Sequence, residues 1–253
     1  MIPNNRTSAV HKHFTPLILM AALCLTIPRT ARADTEHPNE SGSHESGKKT
    51  EVLQKENPAG WLALSALIEG NRRYIESKQT VPPRDFSKRR SELAAGQKPN
   101  AIILSCSDSR VPPELIFDQG LGDIFVIRTA GHVPDSAGTA SIEYAVEHLG
   151  VRLLVVLGHE SCGAVTAALT AEEGKSAGSA DLDALVAAIR PNLTGFSAGA
   201  DKTIREPVRA HVAGVVNKLL DRSKILRKAV EHKELIVVDA IYNISSGKIE
   251  FWL

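Results

Sequence analysis

Residues 101–113 read Ala-Ile-Ile-Leu-Ser-Cys-Ser-Asp-Ser-Arg-Val-Pro-Pro. The stretch changes character in its middle. Residues 101–105 are a short apolar run, β-branched at the centre, which suits a buried strand. The chain then runs straight into Cys106, Asp108 and Arg110, so a nucleophilic sulfur, a carboxylate and a guanidinium alternate just past the strand end. Val111-Pro112-Pro113 stops the strand, because proline has no amide hydrogen to give to a ladder. A second stretch answers the first. Residues 153–157 form another apolar run, which ends in Gly158-His159-Glu160-Ser161-Cys162-Gly163. Two thiols and an imidazole at two strand ends are the parts of a zinc site.

The flanking chain alternates between helical and extended patterns. Residues 58–77 carry Trp61, Leu64, Ile68 and Tyr74 or Ile75 near a 3.6-residue period and read as a helix, with Gly70 inside it as a point of expected break or kink. A second helix is expected at 86–95, closed by Gly96, and a helical turn at 114–117. A strand follows at 124–127, ending at Arg128, and then a loop over 129–136. Helices are expected at 139–149, from about 161, and at 181–189, with small-residue loops at 172–180 and 192–202. Two more helices, 207–220 and 223–232, precede a strand at 235–240 and an edge strand at 248–253. Alternation of this kind predicts an α/β fold: a central, mostly parallel sheet of about four strands plus an edge strand, with helices on both faces. Sites in such sheets form beyond the carboxyl ends of the strands, which is where Cys106, Arg128 and His159 fall.

Of the 253 residues 43% are hydrophobic and 23% charged, enough apolar content for a sizeable core. The formal net charge of +1 is too balanced for a nucleic-acid binder. Residues 1–33 carry Arg6, Lys12, Arg29 and Arg32 and no acid; with these four set aside, 26 basic residues stand against 29 acids, a net of −3. Residues 14–27 are apolar but shorter than the ~20 residues that span a bilayer. Ala31-Arg32-Ala33 then offers a small-x-small cleavage signal. Residues 1–33 thus read as a secretory signal peptide, with an uncleaved anchor as the alternative, and the mature protein is expected to be exported, periplasmic or secreted, without a stable membrane span. Residues 34–57 read as a flexible polar linker, and 58–253 as the one folded domain, which carries both strand-end stretches.

Beyond the leader, which holds Cys24, two cysteines remain. In an exported protein a Cys106–Cys162 disulfide is one reading; zinc binding, with both held as thiolates, is the other. His159 and Cys162 are three apart at a strand-to-helix turn, so both can face one point, and Cys106 comes from a different strand end. Three protein ligands leave a fourth tetrahedral position open, as catalytic zinc sites require. Asp108 beside Arg110 should stay ionised. It could take a proton from water at the metal, bind the metal itself, or simply form a salt bridge that stabilises the loop.

Taken together these residues resemble the β-class carbonic anhydrases. Cys106-Ser107-Asp108-Ser109-Arg110 is similar to that family's first zinc motif, and His159-x-x-Cys162-Gly163 to its second. The likeness extends through residues 69–74, Gln97, 111–114, 122–128, Ala130-Gly131 and 141–146, in order, over roughly 60–253. It implies that Cys106, His159 and Cys162 bind one zinc ion per chain. Asp108, paired with Arg110, would orient or deprotonate the zinc water, or become a fourth ligand in a closed state. It implies the reversible hydration of carbon dioxide to bicarbonate and a proton through zinc-bound hydroxide. Gln97 would be a substrate-side hydrogen-bond donor, and the chain would form a homodimer or higher homo-oligomer whose cleft, near Gln97 and Tyr144, lies at the interface. The chain departs from the family pattern at Thr129, His132 and Glu160, where Asn, Asn and Ser or Thr are usual. His132 is a candidate proton shuttle or a loop histidine with a structural hydrogen bond. A non-catalytic zinc or bicarbonate binder, an enzyme acting on a related heterocumulene such as carbon disulfide, and a thiol–disulfide protein are the competing readings.

Overall fold

A computed structural model describes residues 55–80, 86–199 and 203–252. The expected signal peptide, 1–33, and most of the expected linker lie outside the described residues. Among the described residues five strands form one sheet: β1 (Ala101–Cys106), β2 (Ile124–Thr129), β3 (Leu153–His159), β4 (Ile236–Tyr242) and β5 (Ile249–Trp252). Their order is β2-β1-β3-β4-β5; the first four are parallel and β5 runs antiparallel to β4. The expected mostly parallel sheet with one edge strand is thus the observed one.

Every residue of β1 and β3 is buried, as central strands covered on both faces must be. Eight helices surround them among the described residues: α1 (Pro58–Ile75), α2 (Ser87–Leu93), α3 (Pro113–Ile116), α4 (Ser136–Glu147), α5 (Gly163–Thr170), α6 (Ala180–Ile189), α7 (Arg205–Arg222) and α8 (Lys224–Glu231). On one face Ile102, Leu104, Leu154 and Val156 pack with Ile142 of α4, Val165 of α5, Val208 and Val212 of α7 and Leu226 of α8. On the other face Ile103, Val155 and Leu157 pack with Leu64 and Leu67 of α1 and Ile116 of α3. The two-residue alternation of side chains along each strand separates these two cores.

Two local features depart from the sequence expectations. Helix α1 runs through Gly70 unbroken. A Cβ at Gly70 would stand 1.8 Å from the Phe117 carbonyl oxygen, so the glycine marks a close approach of α1 to the end of α3 rather than a kink. The next residue, Asn71, donates to the carbonyls of Ile116 (3.0 Å) and Gly247 (2.8 Å) and accepts from the Ile249 amide (2.9 Å), tying α1 to α3 and to β5. Helix α4 begins three residues earlier than expected, because Asp135 caps it by accepting from the Gly138 amide at 2.6 Å.

Parallel pairing sets the level at which the strands end. Cys106 stands opposite Thr129 in the register, and His159 opposite Tyr242. All four parallel strands therefore deliver their last residues to one edge of the sheet.

Candidate metal centre

Cys106 ends β1, His159 ends β3, and Cys162 caps the N-terminus of α5. Their ligand atoms all lie within 4.8 Å of one another and all three residues are buried. Ligands around one tetrahedral zinc, at Zn–S of ~2.3 Å, stand about 3.8 Å apart, so the three can share an ion. Both cysteines are free thiols. The disulfide expected as an alternative is not what the fold holds.

The imidazole supplies the firmest test of fit. His159 Nδ1 lies 2.9 Å from the Glu160 carbonyl oxygen. A carbonyl can only accept, so Nδ1 carries the hydrogen and Nε2 presents its lone pair. That Nε2 is buried without a hydrogen-bond partner among the described residues. A buried polar atom without a partner is costly, and a metal ion shared with the two sulfurs satisfies it. The arrangement of a carbonyl behind a ligating histidine is the usual device for orienting such a ring.

The sulfurs are prepared for the same task. The hydrogen bond shared with Cys162 draws the Cys106 thiol down to about 4, with His159 and the Asp108 backbone assisting against the cost of burial. The same shared bond, together with burial, pushes the Cys162 thiol up, while the Val165 and Ala164 amides at the start of α5 pull it the other way. The hydrogen bond between the two sulfurs thus makes one of them easier to ionise than an isolated buried thiol. The Gly131 amide also points at Cys106 Sγ, 3.4 Å away. Gly131 has φ 59, and a Cβ there would meet Ile189 and Ala164 at 2.9 and 3.0 Å, so glycine is needed for this approach.

Asp108 stands beside the group. Its two carboxylate oxygens accept from Arg110 Nε (2.9 Å) and Nη2 (2.7 Å), and the Arg110 amide adds a third bond at 2.9 Å. These bonds, Arg110 first, hold the carboxyl well below the usual carboxylate range. One Asp108 oxygen lies 3.8 Å from His159 Nε2. Both oxygens are therefore engaged by Arg110 at the mouth of the buried trio, and Asp108 is not one of the three clustered ligands.

Arg128, noticed in the sequence only as a strand-end residue, donates from Nε to the Cys106 carbonyl (3.0 Å) and from Nη2 to the Asp108 carbonyl (2.6 Å). It clamps the backbone that carries both groups. Thr129 shapes the adjoining turn by donating to the Val133 carbonyl at 2.8 Å. His132 is fully buried, has neither ring nitrogen partnered among the described residues, and packs against His211 in a tilted pair with 4.6 Å between ring centroids. Burial first, and then the neighbouring His211 and His159, hold its pKa well below the ordinary 6.5. A ring with no exposed surface makes no contact with bulk water, so His132 cannot hand a proton to it directly. Nor does it make the structural hydrogen bond of the alternative reading.

Gln97 is exposed and lies before the amino end of β1, whereas Cys106 ends that strand. Six residues of strand, about 20 Å, separate the two ends. Tyr144 is exposed on α4, its ring 5.3 Å from that of His148. The chain by itself brings neither Gln97 nor Tyr144 to the trio.

The fold and site are those of an α/β protein with a buried Cys-His-Cys group, able to hold a metal ion, at the carboxyl edge of a parallel sheet. Residues 101–249 match the family model described as carbonic anhydrase. The chain is 44% identical over 194 residues to carbonic anhydrase 2 of Mycobacterium tuberculosis, covering 76% of this chain and 91% of that one. It is 40% identical over 200 residues to carbonic anhydrase of Mycolicibacterium smegmatis, covering 78% and 95%. Among solved structures it resembles a β-carbonic anhydrase of Coccomyxa in complex with acetazolamide, with TM-score 0.58, 27% identity, and coverage of 74% and 85%. A tetrameric β-carbonic anhydrase of Sordaria macrospora gives TM-score 0.55 at 25% identity, covering 84% and 97%. The chain belongs to the β-class carbonic anhydrase family.

Proposed function

We propose that the protein is an exported zinc enzyme that interconverts carbon dioxide and bicarbonate with release or uptake of a proton. The observation that carries this reading is the buried trio of two sulfurs and one unpartnered imidazole nitrogen, with an ionised carboxylate fixed at its mouth. Cys106, His159 and Cys162 would hold one zinc per chain, since thiolates with imidazole favour zinc over magnesium or calcium. When bound, zinc supplies the acidity that makes hydroxide available from water near neutral pH.

The remaining work falls to the chain's own residues. Two thiolates offset much of the ion's charge, so a neighbouring acceptor matters more than it would beside three imidazoles. Asp108 is that acceptor. Its carboxylate would take a hydrogen bond from the attacking water and aim a lone pair at carbon dioxide. Arg110 keeps the carboxylate charged and in one orientation, and Arg128 fixes the backbone beneath both. Gln97 is the proposed donor to substrate. Its own Cys106 lies across the length of β1, so the Gln97 that serves a site would come from a second copy. This agrees with a homo-oligomer, and sedimentation of the mature chain should give a dimer or larger species. Residues 1–33 would direct export, which the amino terminus of protein recovered outside the cytoplasm tests by starting at Asp34.

Stopped-flow carbon dioxide hydration across pH, on protein of measured zinc content, is the deciding experiment. Turnover should scale with zinc and vanish on its removal. Zinc-replete, folded protein without hydration activity would leave a non-catalytic binder on the same fold.

A further inference from the structure

Glu160 lies between two of the proposed metal ligands and is tied down on four sides. Its carbonyl accepts the His159 Nδ1 hydrogen at 2.9 Å. Its amide donates to the Tyr242 carbonyl at 3.0 Å. One carboxylate oxygen meets Arg205 at 3.3 Å, and the other accepts from Asn243 Nδ2 at 2.7 Å. Arg205 in turn donates to Glu250 of β5 at 2.5 Å. The Glu160 side chain is only 11% exposed and that of Arg205 28%. A nearly buried carboxylate without a counter-charge would be strongly unfavourable, so Glu160 requires the Arg205 charge, which Glu250 holds in place from the other side.

The turn they hold needs holding. Ser161 has φ 56, a left-handed backbone that residues with a Cβ seldom adopt. Its amide donates to the Thr203 carbonyl at 2.8 Å, just before Arg205 opens α7. The start of α7 therefore grips the metal-binding turn twice, once through Thr203 and Ser161 and once through Arg205 and Glu160. A serine or threonine at position 160, as the family resemblance would call for, is too short to reach Arg205.

We propose that Glu160 and Arg205 form a positioning pair for metal binding. Their ion pair fixes the Glu160 backbone, whose carbonyl sets the His159 ring and whose chain sets Cys162. Neither side chain touches the ligand atoms, so both act through His159 and Cys162. The inference rests on the zinc reading of that trio.

The test uses zinc-loaded, full-length protein with two readouts: the rate of zinc release to a chelating indicator, and the urea midpoint of unfolding. Glu160→Ser and Arg205→Met should each release zinc roughly 10–100-fold faster than the unaltered chain. Glu160→Gln, which keeps a partner for Asn243 but loses the charge, should fall between. Arg205→Lys should recover most of the retention. The double variant should be no faster than the worse single one, since both act through one contact. Should Glu160→Ser not fold, the isosteric Glu160→Gln decides by the same readouts. Zinc uptake with release rates equal to the unaltered chain overturns the inference alone, as does a lowered urea midpoint with unchanged release. Failure of the unaltered chain to take up one zinc overturns the zinc reading and this inference together.

Discussion

Asp108 accepts three hydrogen bonds from a single neighbour, Arg110, and still faces the trio. Replacing it with asparagine keeps the shape and removes the charge. Asp108→Asn should lower carbon dioxide hydration by about 100-fold or more, the scale of a lost acid–base group, with zinc content unchanged. Stopped-flow assay beside metal analysis checks this, and normal turnover would remove Asp108 from the mechanism. Arg128→Met removes two charge-assisted bonds to the Cys106 and Asp108 carbonyls. Because the side chain is solvent-exposed, the stability cost should be only about 1 kcal/mol, read from urea melts. The loss should appear in kcat more than in KM, because the residue shapes the site rather than the substrate's path. Cys106, Asp108 and Arg110 at one strand end and His159 and Cys162 at another were legible in the chain as two short-spaced groups, and the parallel pairing of β1 with β3 sets those strand ends side by side. The clamp by Arg128 and the ties of Glu160 were not, because their partners lie up to 83 residues away.

Among the secondary-structure elements, α1 is the clearest lesson. Propensity alone marks Gly70 as a weak point where alanine would stabilise the helix. The contact with Phe117 reverses the sign. Gly70→Ala must push α1 away from α3 and should cost about 1–3 kcal/mol, as overpacking does. At Gly163, in the first turn of α5, an added Cβ meets nothing within 4 Å. Gly163→Ala should therefore be neutral or stabilising by up to about 1 kcal/mol. Paired urea denaturation curves decide, and equal shifts at the two sites would refute the packing argument. The early start of α4 has a similar cause: Asp135, read from the sequence as part of the 129–136 loop, accepts from the Gly138 amide and opens the helix at Ser136.

For the molecule as a whole, two buried histidines make stability sensitive to acid. His211 donates from Nε2 to the Gly131 carbonyl (2.8 Å) and accepts at Nδ1 from Asn192 Nδ2 (2.9 Å), and the tilted ring of His132 packs against it. Burial lowers both pKa values below 6.5; His211 and His159 add to the effect on His132, and Lys218 to that on His211, where the Gly131 carbonyl and Cys106 oppose it. Below pH ~6.5 the unfolded chain takes up protons that the fold refuses, so stability is fully present above that value and is lost as pH falls through the window beneath it. The urea midpoint should drop between pH 7.5 and 5.5, and His132→Leu should flatten that slope. An unchanged slope would show that His132 titrates normally.

The order of strands and helices, the parallel sheet and the residues of the Cys-His-Cys trio follow from local pattern: apolar runs of strand length, each ending in reactive residues. Such signals survive in one dimension because periodicity and spacing are properties of neighbours along the chain. The depth of His132, the distance of Gln97 from its own Cys106, the close approach at Gly70 and the ion pair that braces Glu160 emerged only on folding. Each depends on which surfaces meet after the sheet is covered, and burial, counter-charge and steric fit between remote segments have no counterpart in the linear chain.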